Sequence, residues 1–291
     1  MISESGSRKL RYISAAVGIP IGLGVCIFSA IGFGVLATVF IAIGVVEFYA
    51  MARHRGFAPH SIIGTSCTVG ICALAWFSSD PLNMLYALAA VVIIVFTVAM
   101  ARNVPDAMIN ISVTVLGVFY VGWFASHIIL LRQMTGGSEV SRFNFAGAGY
   151  VIMLLVLLWL SDGGAFFAGT GWGKHKLIPA ISPNKTIEGA AGGVLLALIG
   201  AAIIKELGLL LKALGISFFP DFSYVLYFLI ALGIAVVGLV GDLCESYLKR
   251  DAGLKDTGNL FPGHGGFLDR FDSLLMSAPL FYYFLRFVNY R

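Results

Sequence analysis

Two pairs of carboxylates stand at one spacing late in the chain: Asp242 with Glu245, and Asp269 with Asp272. Residues three apart share a helix face, so each pair can present two acids in one direction. Oxygen-only ligands suit Mg²⁺ or Mn²⁺ and not zinc, and the two pairs are expected to cage one or two such ions. Each acid also has a plainer role open to it. Glu245 and Lys249 have the i, i+4 spacing of a helical ion pair, and Asp272 at a helix start favours the dipole. Asp242 is harder to place that way, because "AVVGLVGDLCES" sets it beside a long apolar run.

Between the pairs lies "FPGHGGFLD". Pro262, Gly263, Gly265 and Gly266 are expected to form a turn whose N–H groups can approach a phosphate, since no Cβ intervenes. Lys249, Arg250, Lys255 and Arg270 surround it with positive charge, although Lys249 and Arg250 equally suit anchoring at a membrane surface. His264 is either a proton donor or a local hydrogen-bond partner. An upstream segment, "SDGGAFFAGTGWGKHKLIPAISPNKTIEG", brings Asp162 and then glycines at 169, 171 and 173 that loosen the chain. There Ser182 and Thr186 flank Lys185, a group suited to phosphate oxygens. Glu188 reads as a helix-start residue, a lysine partner or a metal ligand. The pattern GxxxxGK[ST] is absent, so this is not a Walker loop. Phosphate-friendly loops beside acidic pairs point to phosphoryl or nucleotidyl transfer.

The elements that carry these residues must be membrane helices. Of 291 residues, 59% are hydrophobic and 12% charged, and the mean hydropathy is +0.92. A soluble domain carries about 25% charged residues. Basic residues sit at the ends of apolar runs and form no contiguous patch, which excludes nucleic-acid binding. Cys26, Cys67, Cys72 and Cys244 lie in apolar runs without metal-ligand spacing and read as small buried hydrophobes. The basic-then-apolar N-terminus lacks a cleavage site and reads as an uncleaved first helix.

A hydrocarbon core of about 30 Å takes about 20 apolar residues per helix. On that ruler there are nine spans, near 11–29, 32–51, 60–78, 82–101, 107–131, 147–168, 187–204, 223–247 and 272–289. The fold class is therefore an all-α integral membrane protein. Residues 1–145 form an N-terminal region of five spans, and 146–291 a catalytic region with polar loops at 169–186 and 248–271. Segment 205–215 reads as an amphipathic surface helix, and Glu47 as an interfacial residue near a helix end. With the N-terminus inside, thirteen Lys and Arg fall on inner loops and six outside. That bias puts the N-terminus and both polar loops in the cytoplasm and the C-terminus outside.

The segment 246–272 resembles the signature of the phosphatidate cytidylyltransferase (CDP-diacylglycerol synthase) family. The matching positions are Ser246, Leu248, Lys249, Arg250, Lys255, Asp256, Gly258, Phe261, Pro262, His264, Gly265, Gly266, Phe267, Asp269, Arg270, Phe271 and Asp272. Upstream, Asp162, the run Gly173 to Leu177, Ser182, Pro183, Lys185, Thr186, Glu188 and Gly189 are similar to the family too. Asn184 departs from it where a basic residue is common, and Trp172 where Phe is usual.

The resemblance implies a nucleotidyltransferase of phospholipid biosynthesis, embedded in the inner membrane, that makes CDP-diacylglycerol and pyrophosphate from CTP and phosphatidic acid with Mg²⁺. It implies that Asp242 and Asp269 hold metal and that the 263–266 turn with Lys255 and Arg270 holds the triphosphate. Ser182, Lys185 and Thr186 would complete the cradle, and Lys249 and Arg250 would meet the lipid head group. Asp162, Glu188, Ser246 and Asp256 would support them. Expected partners are CTP, phosphatidic acid and the bilayer, with a homodimer left open. Rival readings are a cytidylyltransferase for another lipid phosphate such as an ether lipid, a CTP-dependent lipid kinase, and, more remotely, a transporter. A transporter would carry its acids near the bilayer midplane, whereas these gather at one edge.

Overall fold

A computed structural model describes residues 18–78, 80–103, 105–134, 145–258 and 265–289. Within them the chain is helical almost throughout, and the helices fall where the apolar runs predict. They are α1 (Gly18–Phe28), α2 (Ala30–His54), α3 (Ser61–Phe77) and α4 (Pro81–Ala101), followed by α5 (Ala107–Gly117) and α6 (Phe124–Gln133). The last two are joined by a π-helical turn over Val118–Trp123 into one rod. Then come α7 (Phe145–Trp172), α8 (Ile187–Ala213), α9 (Tyr224–Asp251) and α10 (Leu268–Asn289).

Among the described residues, six rods are long and apolar enough to cross a bilayer: α2, α4, α5–α6, α7, α8 and α9. The chain is thus a helical multi-pass membrane protein. Helix α3 has 17 residues, at the lower limit for a crossing, and the described part of α1 has 11. Helix α10 opens with Asp269, Arg270 and Asp272 in its first turns.

Local chemistry sets the breaks. Ser29 caps α2 by accepting from Gly32 N at 3.0 Å, and Asp80 caps α4 by accepting from Leu82 N, with Pro81 at the first helical position. Gly253, at φ +70°, ends α9 in a left-handed turn in which Leu254 N donates to Lys249 O at 2.8 Å.

Two expectations are corrected. Segment 205–215 is not a separate surface helix, because α8 runs unbroken to Ala213. No breaker interrupts it, and Lys205 is satisfied inside by Asp221 at 3.0 Å and by the Tyr227 ring. The loop expected over 169–186 is also shorter and more ordered. Helix α7 continues to Trp172, so Gly169 and Gly171 are helical. Beyond it the chain folds into a hairpin of β1 (Lys176–Ile178) and β2 (Ser182–Thr186), antiparallel with Lys176 opposite Thr186 and Ile178 opposite Ser182.

The chain divides into two compact units. The first holds the described residues of Met1–Val25, Ser29–Leu130 and Leu248–Phe271, the second those of Cys26–Phe28, Leu131–Tyr247 and Asp272–Arg291. In the first unit Tyr49 is the hub. Its hydroxyl donates to Thr114 O at 2.7 Å, and Gly64 and Gly117 lie so close that a Cβ on either would strike its ring or hydroxyl. In the second unit α7 and α8 meet main chain to main chain. A Cβ on Gly164 would lie 2.5 Å from Gly192 O, and one on Gly193 2.8 Å from Ser161 O. Small residues of this kind let membrane helices gain packing energy where no hydrophobic driving force operates between them.

Candidate active site

In the second unit the hairpin delivers Lys185 to α9. Lys185 Nζ lies 2.6 Å from Asp242 Oδ2, and Asp162 on α7 interacts electrostatically with both. Ser246, one turn on, reaches back to Asp242 Oδ1 at 3.4 Å. Gly241 packs against α10 so tightly that a Cβ would sit 2.7 Å from Asp272 O, while Asp272 Oδ1 accepts from Ser273 N. Glu245 is buried.

The hairpin is itself tied down. Thr186 Oγ1 accepts from Gly189 N at 3.0 Å and so caps α8. The Glu188 carboxylate accepts from the backbone of Lys174 at 3.1 Å and of His175 at 3.2 Å, and pairs with His175 Nδ1 at 2.6 Å. Of the readings open for Glu188, the structure favours the helix-start residue, serving here as the clasp of the hairpin. Ser182 stands at the far end of β2, opposite Ile178.

In the first unit Asp269 organises the signature segment. Its Oδ1 accepts from Lys249 Nζ at 2.8 Å. Its Oδ2 accepts from Gly266 N at 2.7 Å, Thr257 N at 2.9 Å and Thr257 Oγ1 at 3.0 Å. The Gly266 N–H expected to meet phosphate is therefore held by a carboxylate of the chain. Lys249, expected at the lipid head group, is likewise engaged, while Arg250, Lys255, Asp256 and Arg270 are exposed. Gly265 takes a positive φ of 84°. Gly263 and His264 lie outside the described residues.

Sequence reasoning missed one participant. Glu47, on α2, is only 9% exposed. It accepts from Phe267 N at 2.9 Å and Leu268 N at 3.0 Å, and shares the Thr257 hydroxyl, 3.3 Å away, with Asp269. The signal was present: a lone acid inside "AIGVVEFYAM" is costly in an apolar setting unless it is bonded.

The four acids expected to form a cage divide between the units, with Asp269 in the first and Asp242, Glu245 and Asp272 in the second. Among the described residues no three His, Cys, Asp or Glu side chains converge as a ready cation site. Mg²⁺ characteristically takes one or two carboxylates and completes its shell with water and substrate phosphates, so a smaller set would suffice for it. Asp162 and Asp242 offer such a pair in the second unit, and Asp269 Oδ1 a single ligand in the first. At each, a lysine ammonium already occupies one carboxylate oxygen, which a cation would have to share or take over.

These features define a multi-pass helical membrane protein with two lysine-paired carboxylates, Asp242 within α9 and Asp269 at the start of α10. The chain matches the cytidylyltransferase family over residues 9–288, and it belongs to that family. It is 31% identical to the phosphatidate cytidylyltransferase of Synechocystis sp. over 294 residues, covering 94% of this chain and 95% of that one. The Bacillus subtilis phosphatidate cytidylyltransferase is 36% identical over 212 residues, 72% of this chain and 71% of its own length. That of Staphylococcus aureus (strain COL) is 43% identical over 136 residues, 46% of this chain and 48% of its own.

Proposed function

We propose that the chain is a phosphatidate cytidylyltransferase, transferring CMP from CTP to phosphatidic acid. The observation that carries this reading is the match to a relative of that name over nearly the whole of both chains. A phosphate oxygen of the lipid forms a bond to the α-phosphorus of CTP. The bond from that phosphorus to the oxygen bridging to the β-phosphate breaks, its electron pair leaves with pyrophosphate, and CDP-diacylglycerol remains. The attacking oxygen is already anionic, so no strong base is needed. The difficulty is charge.

The chain's residues answer that difficulty. Lys185, oriented by Asp242 and carried on a clasped hairpin, presents positive charge to the phosphates, with Ser182 on the same strand. Lys255 and Arg270 add charge from the signature segment, and Arg250, exposed at the end of α9, suits the lipid phosphate. Asp162 and Asp242 in the second unit, and Asp269 in the first, are the residues that would hold Mg²⁺, each set within its own unit, with Mn²⁺ as a substitute. When bound, the metal supplies charge neutralisation and alignment of the displacement.

The protein lies in the inner membrane with nine crossings, a cytoplasmic N-terminus and the reaction on the cytoplasmic face. The excess of inner Lys and Arg supports this. So does the meeting of two loops assigned to one side, where His54 Nδ1 lies 2.9 Å from Ala252 O and Arg55 3.4 Å from Asp251. The test uses purified protein, phosphatidic acid and CTP labelled in the α- or γ-phosphate, with and without Mg²⁺. Label from the α position in lipid, with pyrophosphate released only when metal is present, is expected. Lipid labelled from the γ position would instead identify a kinase.

A further inference from the structure

The face of α2 formed by Phe40, Gly44 and Glu47 lies against the signature segment. The Phe40 and Phe267 rings stack at 5.5 Å, and a Cβ on Gly44 would meet Phe267 at 2.8 Å. One helical turn further along, Glu47 takes two backbone donors from that segment and has the Thr257 hydroxyl 3.3 Å away. Gly258 and Gly266 close over it, since a Cβ on either would approach its oxygens to 2.7 and 2.5 Å. Burying a carboxylate is costly unless hydrogen bonds compensate it, as they do here, so the site is built around Glu47.

Thr257 links this carboxyl to Asp269. Its hydroxyl carries one proton and lies 3.3 Å from Glu47 Oε2 and 3.0 Å from Asp269 Oδ2. Among the described residues the backbone donors to Asp269 fall on Oδ2, so Oδ1, paired with Lys249, is the oxygen left to exchange partners during a reaction. What keeps Oδ1 turned that way is the fixed position of Thr257 and of the start of α10. Glu47 fixes both.

We propose that Glu47 is a positioning residue for the transfer reaction, holding the Asp269 carboxyl in its working orientation through Thr257 and the first amides of α10. This rests on the cytidylyltransferase reading. The test is Glu47→Gln, whose amide NH₂ faces donors in place of one acceptor. Amide hydrogen exchange is read at Thr257, Gly266, Phe267 and Leu268 without substrates, together with kcat, KM for CTP and the half-saturating Mg²⁺ concentration.

Exchange at those amides should rise while the rest of the protein stays protected. The kcat should fall about 10- to 100-fold, as for loss of a partner that orients a ligand, with KM changed less and the Mg²⁺ requirement raised. Gly258→Ala, which presses on the same carboxyl without removing it, should give the same signature and decides the matter if Glu47→Gln does not fold. Unchanged exchange with normal kcat overturns the proposal. So does a fall in activity that tracks global unfolding, with the Mg²⁺ requirement unmoved. A wild-type protein without cytidylyl transfer would overturn the functional reading alone, leaving the exchange measurement to judge the link from Glu47 to the segment.

Discussion

Lys185 and Asp242 are ion-paired at 2.6 Å, and through them strand β2 is fastened to α9. Lys185→Met should reduce CTP-dependent transfer at least about 100-fold, the scale on which removing an electrostatic donor from a reacting centre is felt. The Lys185 ammonium is buried, so leaving Asp242 without it should also cost about 1–3 kcal/mol of stability. Thermal unfolding in detergent beside initial rates checks both. A rate near wild type would remove Lys185 from the phosphate site.

Asp269→Asn bears on both function and fold. An amide there loses the charge that balances Lys249 and turns an N–H group toward the Gly266 or Thr257 donors. Turnover should disappear, and leaving buried groups unpaired should cost about 1–3 kcal/mol. Circular dichroism should show helices intact with a lowered thermal midpoint. Activity comparable to wild type at saturating Mg²⁺ would exclude this carboxyl from the reaction.

Asp221, in the turn after α8, is held down to about 2 by hydrogen bonds from Lys212 and Lys205. A depressed carboxyl contributes stability that is complete above its ordinary value near 4 and is lost as pH falls through about 2. The thermal midpoint should therefore decline over that window, and Asp221→Asn should flatten the decline. Because Asp221 is exposed, high salt should shrink the effect. An identical acid limb in the variant would show that these lysines do not act through it.

Gly164→Val puts a branched side chain where α7 meets the Gly192 carbonyl. Overpacking of this kind costs about 1–3 kcal/mol, and here it has backbone and not a flexible side chain to displace. A lowered midpoint and reduced yield in membranes are expected. A variant as stable as wild type would mean that α7 and α8 do not approach main chain to main chain.

The helices were legible because each is a long apolar run, and period and composition suffice for that. The hairpin was not. "KLIPAISPNKT" has strands of three and five residues, and its pairing depends on the Glu188 clasp, a contact no local pattern announces. Lys185, Asp242 and Asp269 were legible as charges out of place in an apolar chain. Their division of labour was not, since Gly266 looked free to bind phosphate until the carboxylate that occupies its N–H was seen, and Thr186 also caps α8. Glu47 escaped because it lies more than two hundred residues from the amides it holds, and separation in sequence hides such a partner.

Between α7 and α8 the glycines leave no cushion of side chains. Two rods in that state can rock as one body but can scarcely slide, and the hairpin that grows from their ends inherits the stiffness. Lys185 is thus mounted on something nearer a bracket than a flap: thicker or thinner bilayers should alter its angle to the lipid surface before they alter its distance from Asp242.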